Sequence, residues 1–205
     1  MRLDAVVYTV AGMAFGVILG WVIGSQQLGR TATVPAAAPV QQQSAAPAQS
    51  GRQVPALDQG KVDQLTAAVN SNPKDTTSLV QLANVYFDAE RFTDAISWYE
   101  KALALDPKNA DVSTDLGVSY YYTNRTDEAL KRFEESLKIN PKHTKTLLNK
   151  GIVLAFGKED LKGAAAEWQK VVELAPGTPE GEAAKRALEG VAAAVHNNQG
   201  AQNQQ

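Results

Sequence analysis

The chain has 205 residues, of which 44% are hydrophobic and 20% charged, and its formal net charge is -2. This composition is typical of a folded protein, and the small net charge excludes the basic field that holds nucleic acid. The lack of cysteine excludes disulfide frameworks, thiolate zinc sites and cysteine nucleophiles.

The first segment, residues 1–28, is predicted to be a transmembrane anchor. Residues 5–24 are twenty consecutive residues without a charge, and at ~1.5 Å per residue they span ~30 Å, the thickness of a bilayer core. Tyr8 and Trp21 lie near its two ends, where amphipathic rings prefer the headgroup region. A cleaved signal peptide is the alternative, but its apolar region is shorter and leads to a small-residue cleavage site.

Glycine recurs at every fourth position of this segment, at Gly12, Gly16, Gly20 and Gly24. Residues four apart lie on one face of a helix. In a membrane, small residues let two helices approach closely, so the face predicts packing against a partner's membrane helix or a homo-oligomer of this chain. The alternative is that glycine is simply common in membrane helices.

Residues 29–56 are predicted to be a disordered linker. Alanine, proline, glutamine and serine dominate, and there is no aromatic or acidic residue. Such a segment buries too little apolar surface to offset chain entropy. Tethers of this kind resemble those of bacterial inner-membrane proteins. We therefore expect a single-pass protein of the bacterial inner membrane with its folded part in the periplasm.

The remainder of the chain repeats with a period of about 34 residues. Four prolines are spaced 34, 34 and 35 apart, at Pro73, Pro107, Pro141 and Pro176. Small residues follow the same step at Ala83, Gly117 and Gly151, and aromatic residues follow it at Tyr99, Phe133 and Trp168. The one additional residue is predicted to lie in a turn between Leu154 and Ala164.

This pattern resembles the tetratricopeptide repeat (TPR), whose period is 34 residues. The resemblance implies an all-α superhelical solenoid of antiparallel helix pairs in a TPR domain over residues 57–195. Three full repeats are expected at about 75–108, 109–142 and 143–177, with a lone helix before them. A capping helix at 179–195 and a polar tail at 196–205 follow. Ser136 and Lys150 depart from the family pattern, which prefers alanine and leucine there.

Three threonines are predicted to cap helices. Thr93 and Thr126 precede acidic residues in the first turn of the second helices, and Thr178 precedes Pro179.

The resemblance also implies a concave groove lined by the first helix of each repeat. Carrying over the family's positions gives the partner-binding residues Val80, Asn84, Phe87, Asp111, Val118, Tyr121, Tyr122, Lys145, Leu148, Ile152 and Phe156, with Thr77, Asp88, Thr114, Asp115 and Asn149 beside them. This mostly apolar and aromatic set suits an extended peptide or an amphipathic helix of a client protein. With Tyr120 in the core, Tyr121 or Tyr122 must face the groove or solvent.

The charges of the groove residues exclude one specialised type of TPR groove, the clamp that binds a peptide's terminal carboxylate. In the TPR clamps of chaperone co-factors, lysines, asparagines and an arginine hold the terminal carboxylate of a peptide. Asn84 and Lys145 match those positions, whereas Val80, Asp115 and Asn149 do not. An acid at position 115 and an amide at 149 would hold a carboxylate poorly.

Nothing in the sequence indicates an enzyme, a metal site or a cofactor. The two histidines, His143 and His196, lie in different regions, and neither has a second ligand at metal spacing. We expect His143 to face solvent.

Two functions remain open. One is a membrane-tethered TPR adaptor that binds a peptide or helix of a partner during assembly of an envelope complex. It is loosely similar to the anchored TPR subunits of cytochrome c maturation, although no residue marks haem. The other is an oligomeric structural scaffold, built through the glycine face and repeat stacking.

Overall fold

A computed structural model describes residues 55–202 of the chain, with side chains for residues 55–194. In this range there are eight α-helices and no β-strand. In chain order they are α1 Gln59–Ser71, α2 Thr76–Asp88, α3 Phe92–Leu105, α4 Ala110–Tyr122, α5 Thr126–Ile139, α6 Thr144–Gly157, α7 Leu161–Leu174 and α8 Pro179–Gln202.

The predictions for the anchor, for its glycine face at Gly12, Gly16, Gly20 and Gly24, and for the linker up to residue 54 lie outside the described residues. Within residues 55–202, none of the helices combines the length and the apolar character needed to cross a membrane.

The helices form the predicted solenoid. Helices α2 and α3, α4 and α5, and α6 and α7 are three antiparallel pairs, and each pair packs on the next through its neighbouring helices. Helix α1 packs on α2 at one end, and α8 packs on α6 and α7 at the other. The all-α repeat fold is therefore confirmed, with α1 and α8 covering the apolar faces that the terminal repeats would otherwise expose.

Small residues permit the close approach within each pair. Ala83 and Ala95 are fully buried between α2 and α3. A Cβ atom on Gly117 would lie 2.5 Å from Cε1 of Phe133, so no larger residue fits there without movement. The small residue on the first helix of a repeat therefore packs against the aromatic residue on its second helix, which explains why both recur with the same period.

The core is built around one buried aromatic residue on the second helix of each repeat. Tyr99, Phe133 and Trp168 are each at most 1% exposed. The indole Nε1 of Trp168 donates a hydrogen bond to the backbone oxygen of Leu148 at 3.1 Å, which satisfies its one polar atom. Large aromatic rings at one repeat position therefore supply much of the buried apolar surface that holds each pair together.

The N-cap predictions were wrong at Thr93 and Thr126 and right at Thr178. Helices α3 and α5 begin at Phe92 and Thr126, so the cap positions fall on Arg91 and Arg125, without a side-chain cap bond. The threonines lie inside the first turn because the chain turns into each second helix earlier than the polar pattern suggested. At α8 the backbone N–H of Gly181 donates to Oγ1 of Thr178 at 3.1 Å.

The turn inside each repeat contains a residue in the left-handed region. Glu90, Asn124 and Glu159 have φ of 55°, 60° and 57°.

The additional residue of the third repeat lies between Leu154 and Ala164, as predicted, but it extends the helix rather than the turn. Helix α6 has 14 residues where α2 and α4 have 13.

The last helix is longer than predicted. Helix α8 continues to Gln202, seven residues past the predicted end at 195, so most of the segment 196–205 is helical rather than a separate tail. No proline interrupts the chain after Pro179, and the alanines of residues 183–194 favour the helix.

Candidate functional site

The first helices of the repeats, α2, α4 and α6, carry the predicted groove residues on one face of the solenoid. Seven of those residues are partly exposed and apolar, aromatic or basic: Val80, Phe87, Val118, Tyr121, Tyr122, Lys145 and Phe156. Asn84 and Asp111 are exposed. The structure brings these nine residues to adjacent helices with surface available to a ligand, and their role in binding stays a prediction.

Leu148 and Ile152 need correction. Their exposed fractions are 3% and 5%, so they offer no surface to a peptide. Helix α6 lies between α4 and α8, which both pack against it, and these apolar side chains are buried by that packing. The neighbouring predicted position Thr114 is also fully buried.

An aromatic cluster lies where α2 and α4 end. The rings of Phe92 and Tyr122 are stacked with centroids 4.4 Å apart, and Phe87 meets both edge-on at 5.2 and 6.3 Å. The ring of Tyr121 lies 6.1 Å from that of Tyr122. Sequence reasoning missed Phe92, which belongs to a second helix, because the repeat pattern assigns groove positions only to first helices.

The basic residue of the groove is neutralised within the protein. The ammonium Nζ of Lys145 on α6 lies 2.7 Å from Oδ1 of Asp115 on α4. Asp115 is largely buried, with 21% of its side chain exposed. Burial raises the pKa of its carboxyl group, although Lys145 acts in the opposite direction. This geometry supports the exclusion of a carboxylate clamp, because the one matching lysine already has an anionic partner.

The matching asparagine is also engaged. The hydroxyl of Tyr99 donates to Oδ1 of Asn84 at 2.6 Å. Burial raises the pKa of the Tyr99 hydroxyl, and the nearby carboxylates of Asp115 and Asp88 raise it further. This hydrogen bond positions the Asn84 side chain through its oxygen. The amide nitrogen of Asn84 is then the group that can donate a hydrogen bond to a ligand.

A buried hydroxyl cluster joins the second and third repeats. Oγ1 of Thr146 lies 2.6 Å from Oγ1 of Thr114 and 2.8 Å from Oγ of Ser136. Nδ1 of His143 lies 2.5 Å from the same Thr146 oxygen, and its Nε2 lies 3.2 Å from Oδ1 of Asp111. The expectation that His143 faces solvent was wrong, since only 16% of its side chain is exposed. The departure at Ser136 from the family's alanine was the sequence signal for this cluster.

The second helices α3, α5 and α7 each expose one apolar residue at their carboxyl-terminal end. Leu105, Ile139 and Leu174 are each about two-fifths exposed and occupy equivalent positions two residues before the repeat prolines. No group of three or more His, Asp or Glu residues within the described range is arranged to hold a metal ion.

Comparison with known families identifies the repeat. Two family models, each described as Tetratricopeptide repeat, match residues 75–142 and 114–179. Together they span the three helix pairs and reach the start of α8. No curated protein sequence matches the chain.

Solved structures support the same fold. A crystal structure of MamA has a TM-score of 0.55 and 15% identity, covering 67% of this chain and 88% of its own. The Sgt2 TPR domain from Aspergillus fumigatus has a TM-score of 0.55 and 23% identity, covering 61% and 82%. The first TPR of Spaghetti (RPAP3), bound to the HSP90 peptide SRMEEVD, has a TM-score of 0.54 and 24% identity, covering 59% and 93%.

Proposed function

Because the chain belongs to the tetratricopeptide repeat family, we propose that it is a membrane-tethered adaptor that binds a peptide segment or helix of a partner protein in its concave groove. The binding would assist assembly of a complex in a bacterial envelope. The fold itself is a protein-interaction scaffold, which favours a binding role over catalysis.

The observation that carries the proposal is the row of partly exposed apolar and aromatic side chains on the first helices. Val80, Val118 and Phe156 come from three different repeats, so a bound segment would cross all three. Val80, Val118 and Phe156 are the fifth, ninth and thirteenth residues of α2, α4 and α6, so they cross the face obliquely. Apolar side chains placed in this way, flanked by amide and charged groups, can anchor an extended or helical peptide. The RPAP3 domain of the same fold holds a peptide, which supports this use of the fold.

Site-specific photocrosslinking in cells tests the groove. A benzoylphenylalanine residue in place of Val118 is expected to form an adduct of defined mass with a partner, and the same group in place of Phe156 is expected to yield the same adduct. A replacement at Glu134, exposed on the second helix α5, provides the control and is expected to give none. Equal adducts at all three positions, or no adduct at the two groove positions, would contradict groove binding.

The periplasmic location is tested by labelling. The chain has no cysteine, so a Gln199→Cys variant carries a single thiol. Labelling of intact cells by a membrane-impermeant maleimide is expected if the repeats lie outside the cytoplasm. Labelling only after lysis would contradict the periplasmic proposal and leave the groove proposal in place.

An oligomeric scaffold is the second candidate, and the exposed row at Leu105, Ile139 and Leu174 favours it. A scaffold predicts that the particle mass of the full chain in detergent rises with concentration and that an Ile139→Ser change reduces the rise. A constant monomer mass would contradict it.

A further inference from the structure

The groove face of the solenoid carries more negative than positive charge. Asp88, Asp111 and Asp115 lie on α2 and α4, whereas Lys145 is the basic residue that α6 contributes at a predicted groove position. His143 lies beside this face and contacts Asp111. Asp115 thus stands at a position where carboxylate-binding grooves of this fold have an amide, and Asn149 stands where they have a cation.

The positive charge on the groove face is neutralised by an ion pair within the protein, whereas part of the negative charge is not. Lys145 is held at 2.7 Å by Asp115. Asp88 has no ion pair among the residues that the structure describes, although it lines the same small cavity as Lys61 of α1. After this pairing, the carboxylates of Asp88 and Asp111 set the sign of the field that a ligand meets.

Two of the carboxylates act on one point of the groove. The carboxylates of Asp115 and Asp88 both raise the pKa of Tyr99, whose hydroxyl donates to Asn84. Burial of its carboxyl group raises the pKa of Asp88, whereas Lys61 acts in the opposite direction. Asp88 as a whole is exposed, so its carboxylate is accessible to a cationic ligand.

An aromatic cluster lies at the end of α2 that carries Asp88. Phe87, Phe92 and Tyr122 form this cluster, and Asp88 follows Phe87 as the last residue of α2.

We propose that the segment held in this groove is cationic and that an arginine or lysine of it binds Asp88 while its side chain lies against the aromatic cluster of Phe87, Phe92 and Tyr122. Arginine fits best, because its planar group pairs with a carboxylate in two contacts and stacks on aromatic faces. Apolar residues of the same segment contact Val80, Val118 and Phe156. This inference rests on the proposed function and names the chemistry of its partner.

Selection from a random library of 12-residue peptides displayed on phage tests the inference. The target is the full chain in detergent micelles, and Val118→Trp and Thr77→Trp variants, which narrow the groove at two points, identify the peptides that bind there. Groove-dependent peptides are expected to be enriched in arginine and lysine. Their affinity should fall with added salt, as expected for partly exposed charge pairs.

Charge variants then locate the contact. A synthetic peptide from the enriched set should bind Asp88→Asn about threefold to tenfold more weakly, the range of a partly exposed charged contact. Glu134→Gln removes the same charge from an exposed site on α5 and should leave the affinity unchanged. Equal weakening in both variants would indicate only a general charge effect and would overturn the assignment to Asp88.

The two proposals fail in different ways. Groove-dependent peptides that are neutral or acidic would overturn the cationic segment and leave groove binding intact. Peptides that bind the two tryptophan variants as well as they bind the original chain, or no enriched peptides, would overturn both.

Discussion

Gly151 lies directly beneath the indole ring of Trp168, so that a Cβ atom at residue 151 would be 2.6 Å from Cδ1 of the ring. Trp168 is 1% exposed and is fixed by its hydrogen bond to Leu148, so the ring has little freedom to move away. The close approach of α6 and α7 in the third repeat therefore requires glycine at residue 151, opposite the large ring of Trp168.

Gly151→Ala is expected to lower the free energy of unfolding by about 1–3 kcal/mol through overpacking. Gly190→Ala on α8 provides the control, since a Cβ there has nothing within 4 Å. That change should stabilise the helix by up to ~1 kcal/mol. Urea denaturation followed by circular dichroism measures both, and equal effects of the two substitutions would contradict the packing argument.

The hydroxyl cluster predicts unequal costs for its members. Thr146→Val removes the oxygen that contacts Thr114, Ser136 and His143, and it should lower the free energy of unfolding by about 1–3 kcal/mol. Ser136→Ala should cost about 1 kcal/mol or less, because Thr114 still reaches both Thr146 and the backbone oxygen of Ala110. A larger loss for Ser136→Ala in the same denaturation assay would show that the cluster is organised differently.

Asp88 predicts a pH dependence of stability. Its pKa is raised in the folded protein by burial, so the folded state binds this proton more tightly than the unfolded state. The resulting stabilisation is present below the ordinary value of 3.8 and is lost as pH rises through the raised pKa. Asp88→Asn should therefore raise Tm at pH 7, with a difference that disappears below pH 3.8. A lower Tm for the variant at pH 7 would contradict this sign.

The left-handed turns predict a gain from glycine. Glu159 has φ of 57°, a region that costs a non-glycine residue about 1 kcal/mol, so Glu159→Gly should raise the free energy of unfolding by about 0.5–1 kcal/mol. Asn124 has φ of 60°, but asparagine tolerates this region, so Asn124→Gly should change stability by less than about 0.5 kcal/mol. Chemical denaturation compares the two, and a loss of stability in Glu159→Gly would contradict the strain.

Rebuilding the carboxylate clamp is a test of specificity. A triple variant with Val80→Lys, Asp115→Asn and Asn149→Arg restores the cations and the amide that such grooves use and frees Lys145. It is expected to bind the peptide SRMEEVD at least tenfold more tightly than the original chain does, because a charge-assisted bidentate contact contributes about 1.4 kcal/mol or more. Calorimetric titration measures both affinities, and tight binding by the unmodified chain would contradict the exclusion.

Much of the fold follows from the sequence alone. The regular spacing of Pro107, Pro141 and Pro176 predicts where the second helices end, and the alignment of Gly117 and Gly151 with Phe133 and Trp168 predicts which faces pack. These are local signals, because helix periodicity, breakers and small-to-large pairing act within a few turns of the chain. They determined the solenoid, the number of repeats and the existence of helices at both ends.

The identity of the groove surface was decided by the tertiary structure. Lys145 meets Asp115 across 30 positions of sequence, and Leu148 and Ile152 are buried because α4 and α8 flank α6. Family positions give the side of a helix on which a residue lies, but burial depends on how neighbouring repeats are rotated against each other. That rotation is set by the summed packing of side chains from several repeats, including Phe92 and His143, which no single repeat pattern contains.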